Sequence, residues 1–319
     1  MRAIGIEHFG DTPALKEAPV PEPGGGEVQV AVEAASTNPL DLAIASGALA
    51  SLGEYRFPLT LGMDGAGTVT AIGDGVTEFG VGDRVFGQFW GRPLRSGTFA
   101  EVAVVQAVPA FGALARVPDG LPSGAAAALP TAGMTALGAI DAMRVPEGGT
   151  LAILGTTGGV GTFAVQAAAA RGVHVIATAS AQVAEAVRDL GATEIVERGA
   201  EPLDRALRRL APDGVDAILD TIGDRSLTSS VAGAVRDGGA LLSIAFGVDE
   251  KLLADERIRA ADYRLDRKPE RLAELARLAT AGTIRPVIGA TLSLEEAPRA
   301  LAGGIEFTGM RGKTVLQVR

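Results

Sequence analysis

A glycine-rich stretch near the middle of the chain carries the clearest chemical signal. An apolar run at 151–154 leads into it, and strong helix formers at 162–170 follow it. In such a strand–turn–helix context, glycines let the backbone turn sharply and approach a pyrophosphate, and the helix N-terminus offers free N–H groups. In a G-x-G-x-x-G alignment the last two glycines are Gly158 and Gly161, and the first falls on Thr156.

This stretch favours a dinucleotide site over a plain strand-to-helix turn, which uses glycine for similar local reasons. We expect the phosphates to be bound by Thr157, Gly158, Gly159, Val160 and Gly161.

The next strand indicates which dinucleotide is bound. It covers 173–177 and is followed by Thr178, Ala179 and Ser180. A site for NAD has an acidic residue here that holds the ribose 2′-hydroxyl, whereas the first carboxylate after this strand is Glu185. A 2′-phosphate would not be repelled, and Ser180 can donate to it. The sequence therefore favours NADPH.

Composition narrows the class of protein. The 319 residues suffice for two domains, and 47 % of them are hydrophobic, so a sizeable core is available. The net charge of −9 argues against nucleic acid or an anionic membrane surface as a partner. The N-terminus lacks a hydrophobic signal core, and no uninterrupted apolar run approaches the ~18 residues of a transmembrane helix. We expect a soluble cytoplasmic protein.

No metal site is predicted from the side chains. The chain has no cysteine, so thiolate ligands and disulfides are impossible. His8 and His174 are far apart and lack ligand spacing. His174 falls in an apolar strand, where a structural role is expected, and His8 is expected in a loop.

The pattern of elements predicts an all-β unit, then an α/β unit. Short strands at 28–33, 65–73, 83–87 and 99–105 suggest a barrel in residues 1–122. From 123 to 262, helices alternate with strands, which implies a parallel, doubly wound sheet. The helices are expected at 182–190, 203–210 and 227–235, and the strands at 151–154, 194–196, 216–220 and 240–245. The tail adds a helix opened by Pro269, a capping box at 293–296 and a strand at 312–318.

Several segments along nearly the whole chain resemble one family in order and spacing. They lie at 35–41 (ASTNPLD), 61–67 (LGMDGAG), 81–86 (VGDRVF), 97–101 (GTFAE), 158–161 (GGVG), 220–223 (DTIG) and 284–288 (IRPVI). The sequence is similar to the medium-chain dehydrogenase/reductase superfamily, in its zinc-free, ζ-crystallin-like quinone oxidoreductase branch. The resemblance implies a GroES-like β-barrel domain built from 1–122 and 263–319. A Rossmann dinucleotide-binding domain, 123–262, is inserted in it, and the cofactor and substrate meet in the cleft between them.

Departures from this family's patterns refine the expected chemistry. Zinc-dependent members carry Cys and His at the positions of Asn38 and Met63, so alcohol chemistry that needs a Lewis acid is not expected. A tyrosine frequent in the quinone reductase branch is replaced by Ala43. Many NADPH-using members have Arg or Lys at Gln182. Arg198 is a candidate for the missing cation, and an ordinary surface arginine is the alternative.

The resemblance also assigns roles around the reacting atoms. Asn38 is the expected hydrogen-bond donor near the substrate carbonyl, unless it only forms a turn before Pro39. Tyr55 is expected to line the cleft, where either it or water donates the proton, or else to be a packed loop aromatic. Asp41 is expected to order its loop.

Other residues are expected to surround the cofactor and the substrate. Thr131 is expected to contact the nicotinamide half, with a helix N-cap as the alternative. Phe246 and Gly247 follow a strand at the carboxyl edge, where doubly wound sheets bind ligands. Trp90, Arg92 and Arg95 belong to a loop that either shapes substrate access or is simply solvated.

Hydride transfer suits this set of residues because the cofactor carries the reaction. The expected activity is NADPH-dependent, metal-free reduction of a small-molecule quinone or of the conjugated C=C of an enone. The alternatives are an enoyl reductase acting on acyl thioesters or polyketide intermediates, and a non-catalytic NADPH-binding protein. Relatives often form dimers through the edge of the Rossmann sheet, so a homodimer is expected.

Overall fold

The structure is a computed structural model that describes residues 1–91, 93–109 and 112–319. The first part of the chain is β-rich, with a short helix α1 (Pro39–Ala45). Its strands are β1 (Arg2–Ile6), β2 (Ala14–Glu17), β3 (Glu27–Ser36), β4 (Leu59–Thr60), β5 (Asp64–Ile72), β6 (Arg84–Gln88), β7 (Val102–Gln106) and β8 (Leu114–Arg116).

The middle of the chain alternates helices and strands. Its helices are α2 (Ser123–Ala128), α3 (Pro130–Met143), α4 (Gly159–Ala169), α5 (Ala184–Arg188), α6 (Leu203–Leu210), α7 (Arg225–Val231) and α8 (Glu250–Leu253). Its strands are β9 (Thr150–Leu154), β10 (His174–Ala179), β11 (Glu194–Glu197), β12 (Val215–Asp220), β13 (Val235–Ser243) and β14 (Arg259–Asp262). The tail contributes α9 (Pro269–Thr280), β15 (Ile288–Ser293), α10 (Ala297–Leu301) and β16 (Lys313–Gln317).

Both ends of the chain build the barrel-like sheet. Its strands follow the order β15-β16-β3-β5-β6-β8, with β7 also paired to β3, and β2-β1-β4 form a smaller sheet. The C-terminal strand β16 runs antiparallel to β3, so Val315 pairs with Ser36. This pairing brings the tail next to the segment that carries Asn38. The GroES-like part expected from the resemblance is present.

The inserted unit is a parallel sheet with helices on both faces. Its strands follow the order β11-β10-β9-β12-β13-β14. Alternate residues of β9 face opposite sides: Leu151 and Ile153 join one apolar cluster, and Ala152 and Leu154 join the other. Because both faces are covered, the central strand β9 is apolar from Leu151 to Leu154, as expected of a strand buried in a parallel sheet. This is the Rossmann arrangement that the alternating pattern predicted.

Helix packing joins this sheet to the rest of the molecule. Helix α9 begins at Pro269 and buries Leu272 and Leu275. The Leu275 side chain fills the space above Gly133 of α3, where an added Cβ would come within 2.4 Å of it. In the described part of the chain, no helix has the length and hydropathy needed to cross a membrane.

Several sequence predictions of local structure need correction. The helix expected at 227–235 ends at Val231 and continues as a 3₁₀ turn, and Val235 already begins β13. The segment at 182–190 is a 3₁₀ turn followed by the short α5. His174 is the exposed first residue of β10 rather than a packed residue within it. The residue types at 182–190 and 227–235 are compatible with longer helices, but tertiary packing outweighs this local preference and the helices are shorter.

Candidate active site

The glycine-rich turn connects β9 to α4 and has the geometry that its sequence predicted. Gly155 has φ +84°, a conformation that favours glycine, and an added Cβ would lie 2.4 Å from Thr221 Oγ1. A Cβ on Gly161 would lie 2.2 Å from the Gly155 carbonyl oxygen, so this glycine is required for close packing of helix and turn. Thr156 takes the place of the missing first glycine, and its buried hydroxyl donates to the Thr178 carbonyl at 2.7 Å.

A dinucleotide pyrophosphate fits this turn. Gly158 is the N-cap of α4, and a Cβ added there would meet nothing closer than 3.6 Å. The first N–H groups of a helix have no acceptor within it, and together they carry the positive end of the helix dipole. Open space, free N–H groups and absence of side chains are what a pyrophosphate requires at a helix N-terminus.

The position expected for the ribose is the end of β10, the strand paired with β9. Ser180 follows β10, is half-buried, and its hydroxyl makes no cap bond to the turn behind it. Arg198 follows β11 and is exposed, and its backbone N–H donates to the Ala179 carbonyl at 3.0 Å. Ser180 and Arg198 therefore lie side by side at the strand ends. Gln182 donates to the Thr308 carbonyl at 2.9 Å, which seats the C-terminal loop against this position.

A buried polar cluster lies where the barrel meets the parallel sheet, and we call Asn38, Asp64 and Lys313 the polar cluster. Lys313 Nζ donates to Asn38 Oδ1 at 2.6 Å and to the Thr37 carbonyl at 2.8 Å, and it lies 3.9 Å from Asp64 Oδ2. Asn38 Nδ2 donates to Asp64 Oδ2 at 3.0 Å. Lys313 is 4 % exposed and Asp64 is fully buried. Burial lowers the pKa of Lys313 and raises the pKa of Asp64, and each charge partly offsets this effect on the other.

The side-chain amide of Asn38 thus makes more hydrogen bonds within the protein than the sequence predicted. One amide hydrogen is bound by Asp64, while the other makes only a long 3.5 Å contact with the Ser36 carbonyl. That second hydrogen is the one able to turn to a substrate at low cost.

Thr131 extends the polar cluster to helix α3. It is the second residue of α3, so it is not the N-cap offered by the alternative interpretation. Its hydroxyl donates to Asp64 Oδ1 at 2.7 Å, and its backbone N–H donates to Asp64 Oδ2 at 3.1 Å. Gln88 Nε2 donates to the Thr131 hydroxyl at 2.6 Å, while Gln88 Oε1 is buried with no hydrogen-bond partner.

Asp41 orders its loop, as the sequence predicted. Its Oδ2 accepts the Asn38 backbone N–H at 2.7 Å, at the start of α1. Burial, with a smaller contribution from the Asp64 charge, raises the pKa of Asp41 to about 7. The side chain is fully buried and its Oδ1 has no hydrogen-bond partner. Asp41 is therefore adjacent to the polar cluster but points away from open space.

Tyr55 belongs to a group of aromatic side chains near α1. Its hydroxyl donates to the Leu49 carbonyl at 2.9 Å, and its ring packs edge-on against Phe9 with centroids 5.1 Å apart. Burial raises the pKa of Tyr55. The hydroxyl proton is therefore held by a backbone carbonyl, and a role in proton transfer requires that bond to open.

Phe246 and Gly247 lie at the carboxyl edge of the sheet, past β13. Phe246 is 60 % exposed and has φ +60°, which is uncommon for an aromatic residue and is often found at functional sites. Gly247 is buried, and its N–H donates to Ser243 Oγ at 2.9 Å. The exposed Phe246 ring, rather than the Gly247 backbone amide, faces open space.

The structure joins the turn and the polar cluster directly. The Gly312 N–H donates to the Thr157 carbonyl at 2.8 Å, and Gly312 pairs with Gly158 as an isolated β-bridge. The next residue is Lys313, whose Cδ lies 2.9 Å from the position of a Cβ added to Gly159. Asn38, Thr131 and the glycine turn are thereby brought together. Among the described residues, the Tyr55 hydroxyl donates to the Leu49 carbonyl rather than to any of these residues.

Sequence reasoning missed three residues that structure brings to this site. Lys313 and Asp64 complete the polar cluster, and Arg267 lies with its guanidinium carbon 5.5 Å from the centre of the Trp90 ring. The isolated charges in the apolar runs at 61–67 and 312–318 were the available signal for the first two. No comparable signal marks Arg267.

The other residues singled out in the sequence have no contact with the polar cluster among the described residues. Arg95 binds Glu27 at 2.8 Å and Arg92 lies outside the described residues. His8 is exposed in a loop, as expected. Across residues 1–91, 93–109 and 112–319, no group of three acidic or histidine side chains is arranged to hold a metal ion.

Comparison with known proteins agrees with this architecture. Residues 24–119 match the family model of the alcohol dehydrogenase GroES-like domain, and residues 159–261 match that of the zinc-binding dehydrogenases. The mitochondrial NAD(P)H oxidoreductase RTN4IP1 of Mus musculus is 32 % identical over 334 residues, which cover 92 % of this chain and 82 % of the relative. The quinone oxidoreductase of Rattus norvegicus is 30 % identical over 331 residues, which cover 99 % and 97 %.

A much longer relative and two solved structures add to this comparison. The mycoketide-CoA synthase of Mycobacterium tuberculosis is 32 % identical over 317 residues, which cover 93 % of this chain but 7 % of that protein. The quinone oxidoreductase from Coxiella burnetii superposes with a TM-score of 0.86 at 29 % identity, covering 100 % and 99 % of the two chains. The mycobacterial protein Rv1454c complexed with NADPH gives a TM-score of 0.82 at 25 % identity, with both chains fully covered.

Fold and site together define a two-domain oxidoreductase that uses a nicotinamide cofactor. The chain belongs to the medium-chain dehydrogenase/reductase superfamily, in its quinone oxidoreductase branch.

Proposed function

We propose that this protein transfers a hydride from NADPH to a quinone or to the conjugated C=C of an enone, without a metal ion. The observation that carries the proposal is the direct bond between the glycine turn and the strand of Lys313. That bond places a dinucleotide-type turn next to a buried polar cluster at the junction of the two domains. The bound cofactor supplies the hydride, so the chain has to orient the reactants, exclude water and stabilise developing charge.

The cofactor is held, in this proposal, along the carboxyl edge of the parallel sheet. Thr157, Gly158, Gly159, Val160 and Gly161 receive the pyrophosphate at the N-terminus of α4. Thr131 borders the nicotinamide half from the start of α3, and Phe246 and Gly247 border it from the segment that follows β13. Solved relatives support a nicotinamide cofactor, including one complexed with NADPH.

The preference for NADPH over NADH is assigned to Ser180 and Arg198. They lie side by side at the ends of β10 and β11, where a 2′-phosphate would accept from a hydroxyl and a guanidinium. We expect Ser180→Asp to weaken NADPH binding by charge repulsion and to leave NADH binding nearly unchanged. Arg198→Gln should weaken NADPH binding to a smaller extent. The control is Arg205→Gln, because Arg205 is also exposed and should not affect nucleotide binding. Isothermal titration with both nucleotides measures this, and a wild-type preference for NADH would contradict the assignment.

The polar cluster stabilises the oxyanion that forms on the substrate. Asn38 provides the amide donor through the hydrogen that now makes the 3.5 Å contact with Ser36. Lys313 holds the Asn38 carbonyl and orients the amide. Water or Tyr55 supplies the proton. A metal-free reaction is proposed because Asn38 and Met63 stand where zinc-dependent members have Cys and His, and the chain has no cysteine.

A substrate panel tests this function. Purified protein with NADPH should reduce 1,4-naphthoquinone or a linear enone, and Asn38→Ala should lower kcat by about 10²-fold, the usual cost of one oxyanion donor. Tyr55→Phe separates the proton sources, because kcat is retained if water donates. NADPH that binds without turnover on any quinone or enone would instead favour a non-catalytic nucleotide-binding protein.

The second candidate is enoyl reduction on an acyl thioester, which the similarity to a mycoketide-CoA synthase favours. It uses the same cofactor and the same hydride step, so the panel includes a crotonyl thioester. Higher kcat/KM on the thioester than on quinone and enone would select this activity.

Location and assembly are also proposed. We propose a cytoplasmic enzyme that pairs into a homodimer through β14, which lies at the edge of the parallel sheet. Light scattering should give twice the chain mass of 32.3 kDa. A monomer would contradict this assembly.

A further inference from the structure

The C-terminal loop, residues 302–311, contacts two of the positions that are expected to bind the dinucleotide. It connects α10 to β16. At its end, Gly312 pairs as an isolated β-bridge with Gly158, the N-cap of α4, where the pyrophosphate is expected. Further back, the Thr308 carbonyl accepts from Gln182 Nε2 at 2.9 Å, just past the end of β10, where the ribose is expected. The loop therefore runs from the pyrophosphate position to the ribose position.

Arg311 is an exposed cation on this loop, directly before Gly312. Its guanidinium carbon lies 5.8 Å from the centre of the half-buried Phe307 ring, a distance typical of cation–aromatic pairs. A guanidinium stacked on a ring keeps the N–H groups at its edge available to a planar acceptor. With the described residues, the Arg311 side chain makes no ion pair and no hydrogen bond. Its donors are therefore open to a ligand.

The charge balance of the chain gives this cation a specific use. The net charge is −9, so the chain as a whole repels a dinucleotide phosphate and binding requires a local positive charge. Lys313 also lies beside the glycine turn, but its ammonium is buried and bound to Asn38 Oδ1 at 2.6 Å. Glu306 is the one acidic residue in the sequence of the loop, and it is exposed. Arg311 thus offers the positive charge that Lys313 cannot offer to a phosphate.

We infer that Arg311, stacked on Phe307, binds a phosphate group of the dinucleotide. The phosphate is either the pyrophosphate, which NADPH and NADH share, or the ribose 2′-phosphate, which only NADPH carries. The planar guanidinium suits both, because it presents parallel N–H donors to two phosphate oxygens. This inference rests on the proposed reductase function, and it adds a second cation to the exposed Arg198.

Calorimetric titration of the purified protein with NADPH tests this contact without turnover. Arg311→Gln should raise the Kd for NADPH by about tenfold, the usual scale for losing a charge-assisted hydrogen bond. Arg285→Gln is the matched control and should bind NADPH as wild type does. Arg285 is also an exposed arginine of the tail, but its backbone N–H donates to Gln166 Oε1 at 2.9 Å, about 10 Å along α4 from the first residue of that helix.

Titration with NADH then identifies which phosphate is bound. If Arg311→Gln raises the Kd values for NADPH and NADH by the same factor, the pyrophosphate is the group that Arg311 binds. If only the Kd for NADPH rises, the group is the 2′-phosphate. Kd values for both nucleotides equal to those of Arg285→Gln would overturn the inference.

A second variant and a turnover assay separate this inference from a folding defect and from the proposed function. Arg311→Lys keeps the charge and loses the planar fork, so its Kd for NADPH should lie between those of wild type and Arg311→Gln, and it replaces Arg311→Gln if that variant does not fold. Wild-type reduction of a quinone, with Arg311→Gln binding NADPH as Arg285→Gln does, overturns the inference while the reductase function stands. NADPH binding that depends on Arg311, without reduction of any quinone or enone, leaves the phosphate contact and removes the function.

Discussion

The ammonium of Lys313 depends on partners that lie far away in sequence. Its Nζ is held by Asn38 Oδ1 and the Thr37 carbonyl, and Asp64 is the carboxylate that balances its charge. Removing one member of a buried ion pair leaves the other charge without compensation, which costs more than the pair itself contributes.

Lys313→Met should therefore destabilise the protein strongly. We expect the free energy of unfolding to fall by about 3–5 kcal/mol, as for other broken buried pairs. Urea unfolding measures it, with the exposed Lys251→Met as control, expected within about 0.5 kcal/mol of wild type. The double variant Lys313→Met/Asp64→Asn should be more stable than Lys313→Met alone. Equal stability of Lys313→Met and Lys251→Met would show that Lys313 is not a buried charge.

Asp41 makes the stability of the protein depend on pH. Burial raises its pKa from the ordinary 3.8 to about 7, so the folded protein keeps a proton that the unfolded chain releases at lower pH. Stability from this group is complete below about pH 4 and is lost as the pH rises through about 7.

Comparison of wild type with Asp41→Asn isolates this contribution. Asn keeps an oxygen that accepts the Asn38 N–H but does not titrate. Between about pH 4 and about pH 7, wild-type stability should fall relative to the variant by up to about 1.4 kcal/mol per pH unit. Denaturant unfolding across this range measures the difference, and the exposed Asp119→Asn should follow wild type. Parallel curves for wild type and Asp41→Asn would contradict the raised pKa.

At the scale of elements, two of the glycines in the turn, Gly158 and Gly161, are needed for different reasons. A methyl group on Gly161 would collide with the Gly155 carbonyl at 2.2 Å, whereas one on Gly158 would meet nothing closer than 3.6 Å. Gly161 is therefore needed for packing, and Gly158 for keeping the space before α4 open.

Alanine at the two positions should separate folding from cofactor binding. Gly161→Ala should lower the free energy of unfolding by about 1–3 kcal/mol, because an overpacked turn has to shift. Gly158→Ala should cost less than about 1 kcal/mol yet raise the Kd for NADPH by about tenfold. Thermal unfolding and nucleotide titration measure the two effects. A Gly158→Ala protein that binds NADPH as wild type does would place the pyrophosphate elsewhere.

The bounds of two helices show what local sequence patterns can and cannot predict. Helix α6 has the predicted bounds of 203–210, because its periodicity and its stop signals agree. The helix at 227–235 was predicted too long, since Val235 pairs in register with Val215 and is drawn into the sheet. Long-range strand pairing decided that boundary, and no local pattern contains it.

At the scale of the whole molecule, the site is assembled from distant parts of the chain. Lys313 and Asn38 are 275 positions apart, and Asp64 and Thr131 are 67 apart. The glycine turn was predictable because its strand, turn and helix are contiguous. The polar cluster and the Arg267–Trp90 pair were not, because their partners are set by the pairing of β16 with β3 and by tertiary packing. The domain boundaries at 122/123 and 262/263 stay a prediction.

Transfer of a labelled hydride tests the central claim most directly. Purified protein would be given NADPH carrying deuterium at both positions of nicotinamide C4, together with a linear enone and a chelator. We predict a saturated ketone with one deuterium at its β-carbon, detected by NMR and mass spectrometry, at a rate the chelator does not change. A product without deuterium, or activity that requires added zinc, would contradict metal-free hydride transfer from the cofactor.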